Sequence, residues 1–239
     1  MTTRTGKTLQ VLNMVLVAAI VVVLAGIVYR VLSTDPANPR TELERATFAA
    51  EEAVRANPED PASRIKLAAA YLERDNPTAA LEHAEIAVRL DPNDPTGYYM
   101  VGLARTALEE YDAAIQTLTR AVETEGQVAQ FYQDAYLALS RAYERNGDEE
   151  EALRAMSLAV SNGPENVVLL VARGELYERS EQWEFAMEDY AAALEYVPDY
   201  EPAAEAFERL KNEHPDVFEK LQEFYEGEGS TESSPDATQ

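Results

Sequence analysis

The chain has 239 residues, 46% of them hydrophobic, enough apolar material for one sizeable core. It has no cysteine, which excludes disulfides, zinc–thiolate centres, cysteine nucleophiles and a lipid-modified N-terminal cysteine. Of a formal charge of −24, all 44 acids lie from Asp35 onward, and only Arg4, Lys7 and Arg30 of the 20 bases precede it; a body that acidic repels phosphate backbones, so no nucleic-acid partner is expected.

Residues 1–8 form a short basic N-terminus. Residues 9–32, LQVLNMVLVAAIVVVLAGIVYRVL, read as a transmembrane helix, because Met14 to Val28 is uninterrupted apolar sequence. At about 1.5 Å per residue, a helix of that length covers the roughly 30 Å hydrocarbon layer. Tyr29 suits the headgroup level, and Arg30 can snorkel outward. The stretch exceeds the apolar core of a signal peptide, about 7–15 residues, and no small-x-small cleavage site follows it. An uncleaved anchor is therefore expected. A basic N-terminus ahead of a first span favours an inside N-terminus. In a bacterium this makes a single-pass inner-membrane protein, with the remainder of the chain outside the cytoplasm. Residues 33–40, with Asp35, Pro36, Asn38 and Pro39, form a linker.

Beyond the linker the chain repeats itself. Segments aligned from Pro61, Pro95, Gln133 and Val167 divide it into units 61–94, 95–132, 133–166 and 167–200. Three positions are always small. The eighth is Ala68, Gly102, Ser140 and Gly174; the twentieth is Ala80, Ala114, Ala152 and Ala186; the twenty-seventh is Ala87, Ala121, Ala159 and Ala193. Bulky residues recur between them, with Leu67, Val101 and Leu139 at the seventh position and Tyr71, Tyr143 and Tyr177 at the eleventh. Tyr111 and Trp183 share the seventeenth and read as packing residues. Pro92, Pro164 and Pro198 end the units. Arg105 breaks the eleventh-position pattern. The second unit is four residues longer, which reads as an extended inter-helix region around Gly126–Tyr132. Residues 41–60 form a half repeat, with Ala46, Ala50, Ala53 and Pro58 in register with a second helix, and it is expected to cap the N-terminal face.

These positions, and the 34-residue spacing, resemble the tetratricopeptide-repeat family. The resemblance implies an all-α fold: a right-handed superhelix of antiparallel helix pairs, here preceded by the N-terminal transmembrane helix. Residues 201–225 read as two C-terminal capping helices, with Ala203, Ala206, Phe207 and Leu210 on the first and Val217, Phe218, Leu221 and Phe224 on the second. Residues 226–239, EGEGSTESSPDATQ, lack apolar residues to bury and read as a disordered acidic tail.

No catalytic constellation emerges. His83 and His214 belong to no metal-ligand spacing, and the run Asp148-Glu149-Glu150-Glu151 lacks the alternation of a calcium loop. No enzyme activity, cofactor or metal is expected. In the family, first helices line a concave groove that binds other proteins. Carried over by position, that groove is lined by Ile65, Lys66, Ala69 and Leu72, then Tyr99 and Leu103, then Leu137 and Arg141, then Val171. Lys66 is its only lysine at the positions that family members use to clamp a terminal carboxylate, so a clamp of that kind is not implied. The groove grades from apolar to charged, which suits a peptide segment or helix with an apolar face. The expected function is a membrane-anchored scaffold or assembly factor that recruits partner proteins. The alternatives are a structural subunit of a membrane complex and a periplasmic chaperone-like factor of the translocon or cytochrome c maturation type.

Overall fold

The computed structural model describes residue 20 and residues 22–24, 41–124 and 127–229, with side chains to Glu223. The predicted N-terminus (1–8), linker (33–40) and most of the predicted span (9–32) lie outside the described residues, as do residues 230–239. Among the described residues every regular element is an α-helix. None is long and apolar enough to cross a membrane. The four described residues of the predicted span are helical and 51–71% exposed.

The chain divides into two compact units, residues 1–58 and 59–239. In the first, α1 (Glu42–Ala56) opens with a capping box. Thr41 Oγ1 accepts from the Glu44 amide at 3.1 Å, and Glu44 Oε2 accepts from the Thr41 amide at 3.2 Å. Two orphan amides of the first turn are thereby satisfied.

The described residues of the second unit form ten helices. Four hairpins pair α2 (Pro61–Glu73) with α3 (Pro77–Leu90), α4 (Pro95–Ala107) with α5 (Tyr111–Val122), α6 (Ala129–Asn146) with α7 (Glu149–Ser161), and α8 (Val167–Arg179) with α9 (Trp183–Tyr196). Each hairpin packs on the next, and α10 (Glu201–Glu213) and α11 (Pro215–Gly229) pack on α9 and on each other. Helix starts are written locally. Asp60, Asn76, Asp94 and Asn166 accept first-turn amides, and proline follows the first three, where its missing N–H costs nothing.

The turn inside each hairpin repeats as well. At the fifteenth position of every unit the backbone is left-handed: Asp75 (φ 55°), Glu109 (φ 63°), Gly147 (φ 90°) and Glu181 (φ 56°). In each the next amide donates to the carbonyl five residues back, Tyr71, Arg105, Tyr143 and Tyr177, at 2.9 Å. This closes the first helix with a 6→1 bond and reverses the chain.

The small positions are where helices touch. All four alanines at the twentieth position are fully buried, and those at the twenty-seventh are buried too. At the eighth, a Cβ on Gly174 would lie 2.5 Å from Tyr190 Cε1, and one on Gly102 would fall on the Leu118 side chain. Ser140 is buried in the same way and donates to the Ala152 carbonyl at 2.7 Å. At the C-terminal end Glu178 ties three helices together. The Tyr190 hydroxyl donates to it, and Arg209 donates to both its oxygens at 2.8 and 2.9 Å. Burial, followed by that bond, pushes the Tyr190 hydroxyl well up and keeps it a donor.

Two expectations are corrected. The four extra residues of the second unit do not form an extended segment throughout: Ala129–Tyr132 is helical, so α6 has 18 residues against 12–14 in the other helices of the hairpins. A ring contact and a hydrogen bond reward the extra turn. Phe131 meets Tyr99 edge-on at 6.0 Å, and the Tyr132 hydroxyl donates to the Thr124 carbonyl at 2.7 Å. The second concerns the tail, since α11 continues to Gly229 and takes in residues 226–229. His214 at the α10–α11 junction stacks on Trp183 with centroids 4.3 Å apart.

Candidate functional site

The first helices of successive hairpins are neighbours, α2 with α4 and α4 with α6. Between α4 and α6 lies a cavity of about 420 Å³. Tyr99, Leu103, Thr106 and Ala107 line it from α4; Asp134, Leu137, Ala138, Arg141 and Arg145 line it from α6; Glu109 and Tyr111 close the hairpin side. Positions 99, 103 and 106 are four and three residues apart, which puts them on one helix face, and 134, 137, 141 and 145 do the same on α6.

The walls are held by packing. Tyr99, Leu103 and Tyr136 rest on a buried cluster of Ala114, Leu118, Ala138, Leu139, Ala142 and Ala155. The Tyr99 ring is braced by Phe131, and burial raises its hydroxyl pKa, with the Asp134 charge adding and Arg141 opposing. The hydroxyl stays protonated and able to donate across the physiological range. The cavity is thus a slot of mixed lining, in which Tyr99, Leu103, Ala107, Leu137 and Ala138 stand beside the charged Glu109, Asp134, Arg141 and Arg145.

Of the residues placed in the groove from sequence, the structure brings Tyr99, Leu103, Leu137 and Arg141 together in this cavity. Ile65, Lys66, Ala69 and Leu72 lie on α2, one hairpin earlier; Lys66 is exposed, and Leu72 packs on the cluster of Ala68, Ala80 and Val101. Val171 is corrected: it is buried in the core beneath α8, whereas Val168 of the same helix is 55% exposed. The charge grading is also less steep than expected, because Asp134, Arg141 and Arg145 share a cavity with Tyr99 and Leu103. Sequence reading missed Glu109, Tyr111 and the Phe131 brace. The four-residue lengthening was the available signal for Phe131.

Residues 99–167 match the tetratricopeptide-repeat family profile, and residues 40–121 match that of anaphase-promoting complex, cyclosome, subunit 3. The structure aligns with a thermophilic TPR protein of Thermus thermophilus at a TM-score of 0.58 and 22% identity, covering 70% of this chain and 90% of that one. The fold is that of the tetratricopeptide repeat. Among curated proteins, this chain is similar to anaphase-promoting complex subunit 3 of Schizosaccharomyces pombe, 26% identical over 147 residues, which are 62% of this chain. It is also similar to Hsp70-Hsp90 organizing protein 2 of Arabidopsis thaliana, 33% identical over 72 residues and 30% of its length. The chain spans 22% and 13% of these two relatives, so the likeness is one of repeats.

Proposed function

We propose that the chain is a membrane-anchored interaction scaffold or assembly factor that holds an apolar-faced helix or extended segment of a partner protein between α4 and α6. The observation that carries this reading is the cavity itself, in which Tyr99, Leu103 and Leu137 offer apolar surface and Asp134, Arg141 and Arg145 can fix register. Names of relatives agree with it, one being a complex subunit and the other an Hsp70-Hsp90 organizing protein. Among the described residues the C-terminal helices do not compete for the slot, because α11 packs on α9 and α10. The anchor rests on the unbroken apolar run from Met14 to Val28, four residues of which are helical and exposed. The basic N-terminus favours repeats on the extracytoplasmic side.

A photoreactive residue in place of Ala107, which is exposed on the cavity edge, tests this in native membranes. Crosslinks to a second protein are expected, and Tyr99→Glu with Leu103→Glu should reduce them about tenfold or more while leaving helical circular dichroism unchanged. Undiminished crosslinks in that variant, or crosslinks only within the chain, would refute the proposal.

A further inference from the structure

A second cavity, about 360 Å³ in volume, opens on another face of α4, between α3 and α5. Its charged lining is Arg89, Arg105 and Arg120 against Glu85 alone, over an apolar floor of Val88 and Val101. On a chain of net charge −24, three guanidinium groups around one hollow run against the prevailing field. Arg105 brings the third guanidinium to the hollow from α4. It stands at the eleventh position, where the other units carry Tyr71, Tyr143 and Tyr177. Two of those rings pack on an aromatic neighbour, Tyr71 on His83 and Tyr177 on Phe185, with centroids 5.6 and 5.3 Å apart.

Glu85 balances one of the three guanidinium charges, that of Arg105, and the lining stays net positive. Arg105 Nη1 donates to Thr117 Oγ1 at 2.9 Å and to the Ala113 carbonyl at 3.4 Å, and Nη2 donates to Glu85 Oε1 at 3.2 Å. Its Nε is buried and has no acceptor among the described residues. With five donors on a guanidinium, one Nη2 hydrogen also stays free. Arg120 lies over the Tyr98 ring, 4.7 Å from its centroid, which orients the group without cancelling its charge. Neither Arg89 nor Arg120 forms an ion pair with a described residue.

We propose that this cavity binds an anionic side chain of an acidic partner segment, its oxygens held by Arg89, Arg105 and Arg120 and its aliphatic part against Val88 and Val101. Arginine suits this because its planar fork matches a two-oxygen anion and is weakly hydrated. A short, locally acidic peptide fits better than an extended polyanion, which the surrounding acidic surface would repel at range. The site is distinct from the groove between α4 and α6 and does not depend on that reading.

The test is fluorescence anisotropy on the full chain with labelled peptides alternating leucine with glutamate, glutamine or phosphoserine. The glutamate peptide is expected to bind, more weakly as salt rises, and the glutamine peptide to bind at least about tenfold less well. Arg89→Ala with Arg120→Ala, both exposed, should weaken the glutamate peptide about tenfold or more with the fold intact. Arg105→Tyr, which places there the ring of the other units, should also weaken it by removing one guanidinium. Tighter binding of the phosphoserine peptide would support the same site with phosphate as the preferred source. Equal binding of the glutamine peptide, unchanged binding by the paired arginine variant, or loss of binding in the Tyr99→Glu, Leu103→Glu groove variant would overturn the proposal.

Discussion

A single methyl group at Gly102 probes how closely the helices of a unit approach. In an exposed helix, alanine in place of glycine stabilises by about 1 kcal/mol. At Gly102 the added Cβ would fall on Leu118 Cγ and lie 2.5 Å from Cδ2 and 3.3 Å from Cδ1. Leu118 is fully buried, so its side chain must shift against the packed core or α4 and α5 must part. Overpacking of this kind costs about 1–3 kcal/mol, and because two buried carbons are crowded the upper half of that range applies. Set against the propensity gain, Gly102→Ala should lose about 1–2 kcal/mol net. Urea unfolding followed by far-ultraviolet circular dichroism measures this as a lower midpoint at unchanged slope. Leu118→Ala alone should cost about 2–5 kcal/mol through the cavity it leaves. In the double variant the new methyl occupies part of that cavity, so the combined loss should fall short of the sum by about 1 kcal/mol or more. A Gly102→Ala chain as stable as the parent, or two losses that simply add, would refute a close approach of α4 and α5 at this position.

Two further outcomes follow from the same packing. Arg173 and Asp189 join α8 to α9 by paired bonds of 2.8 and 2.6 Å, with Asp189 almost wholly buried, so Asp189→Ala should cost about 3–5 kcal/mol because it strands a guanidinium. Replacing both by leucine should cost clearly less, and equal losses in the two variants, read from urea midpoints, would contradict a buried pair. Gly147, at φ 90° with no atom within 4 Å of the place a methyl would take, should lose about 1 kcal/mol on replacement by alanine through backbone strain alone. Glu109→Gly should move the other way, and the sign difference between them is the check.

The close-approach positions could be read from sequence because they repeat. One alanine at a helix surface says little, but small residues at the eighth, twentieth and twenty-seventh positions of four units leave few explanations besides helices in contact. Only the third unit carries glycine at the hairpin turn, Gly147, so the repeat pattern did not mark that position. In the other three units Asp75, Glu109 and Glu181 take the left-handed conformation, which is enforced by the 6→1 bond and by the packing of the helices on either side. The groove was legible by position and not by exposure. Tyr99, Leu103, Leu137 and Arg141 converge, whereas Val171 is buried in the core, because the packing of neighbouring helices decides whether an apolar residue meets the core or the slot.

The chain by itself determined the number of units, their helical character, most helix starts and the residues at which helices touch, since these follow from period, capping chemistry and side-chain size. Tertiary structure decided the rest. The four additional residues before Gln133 became a turn of α6 because Phe131 found the Tyr99 ring to pack on. Arg105, in sequence merely a departure from a tyrosine pattern, acquired meaning only when folding brought Arg89 and Arg120 from α3 and α5 to the same hollow. Charges and cavities arise between helices distant along the chain, and no local period encodes them.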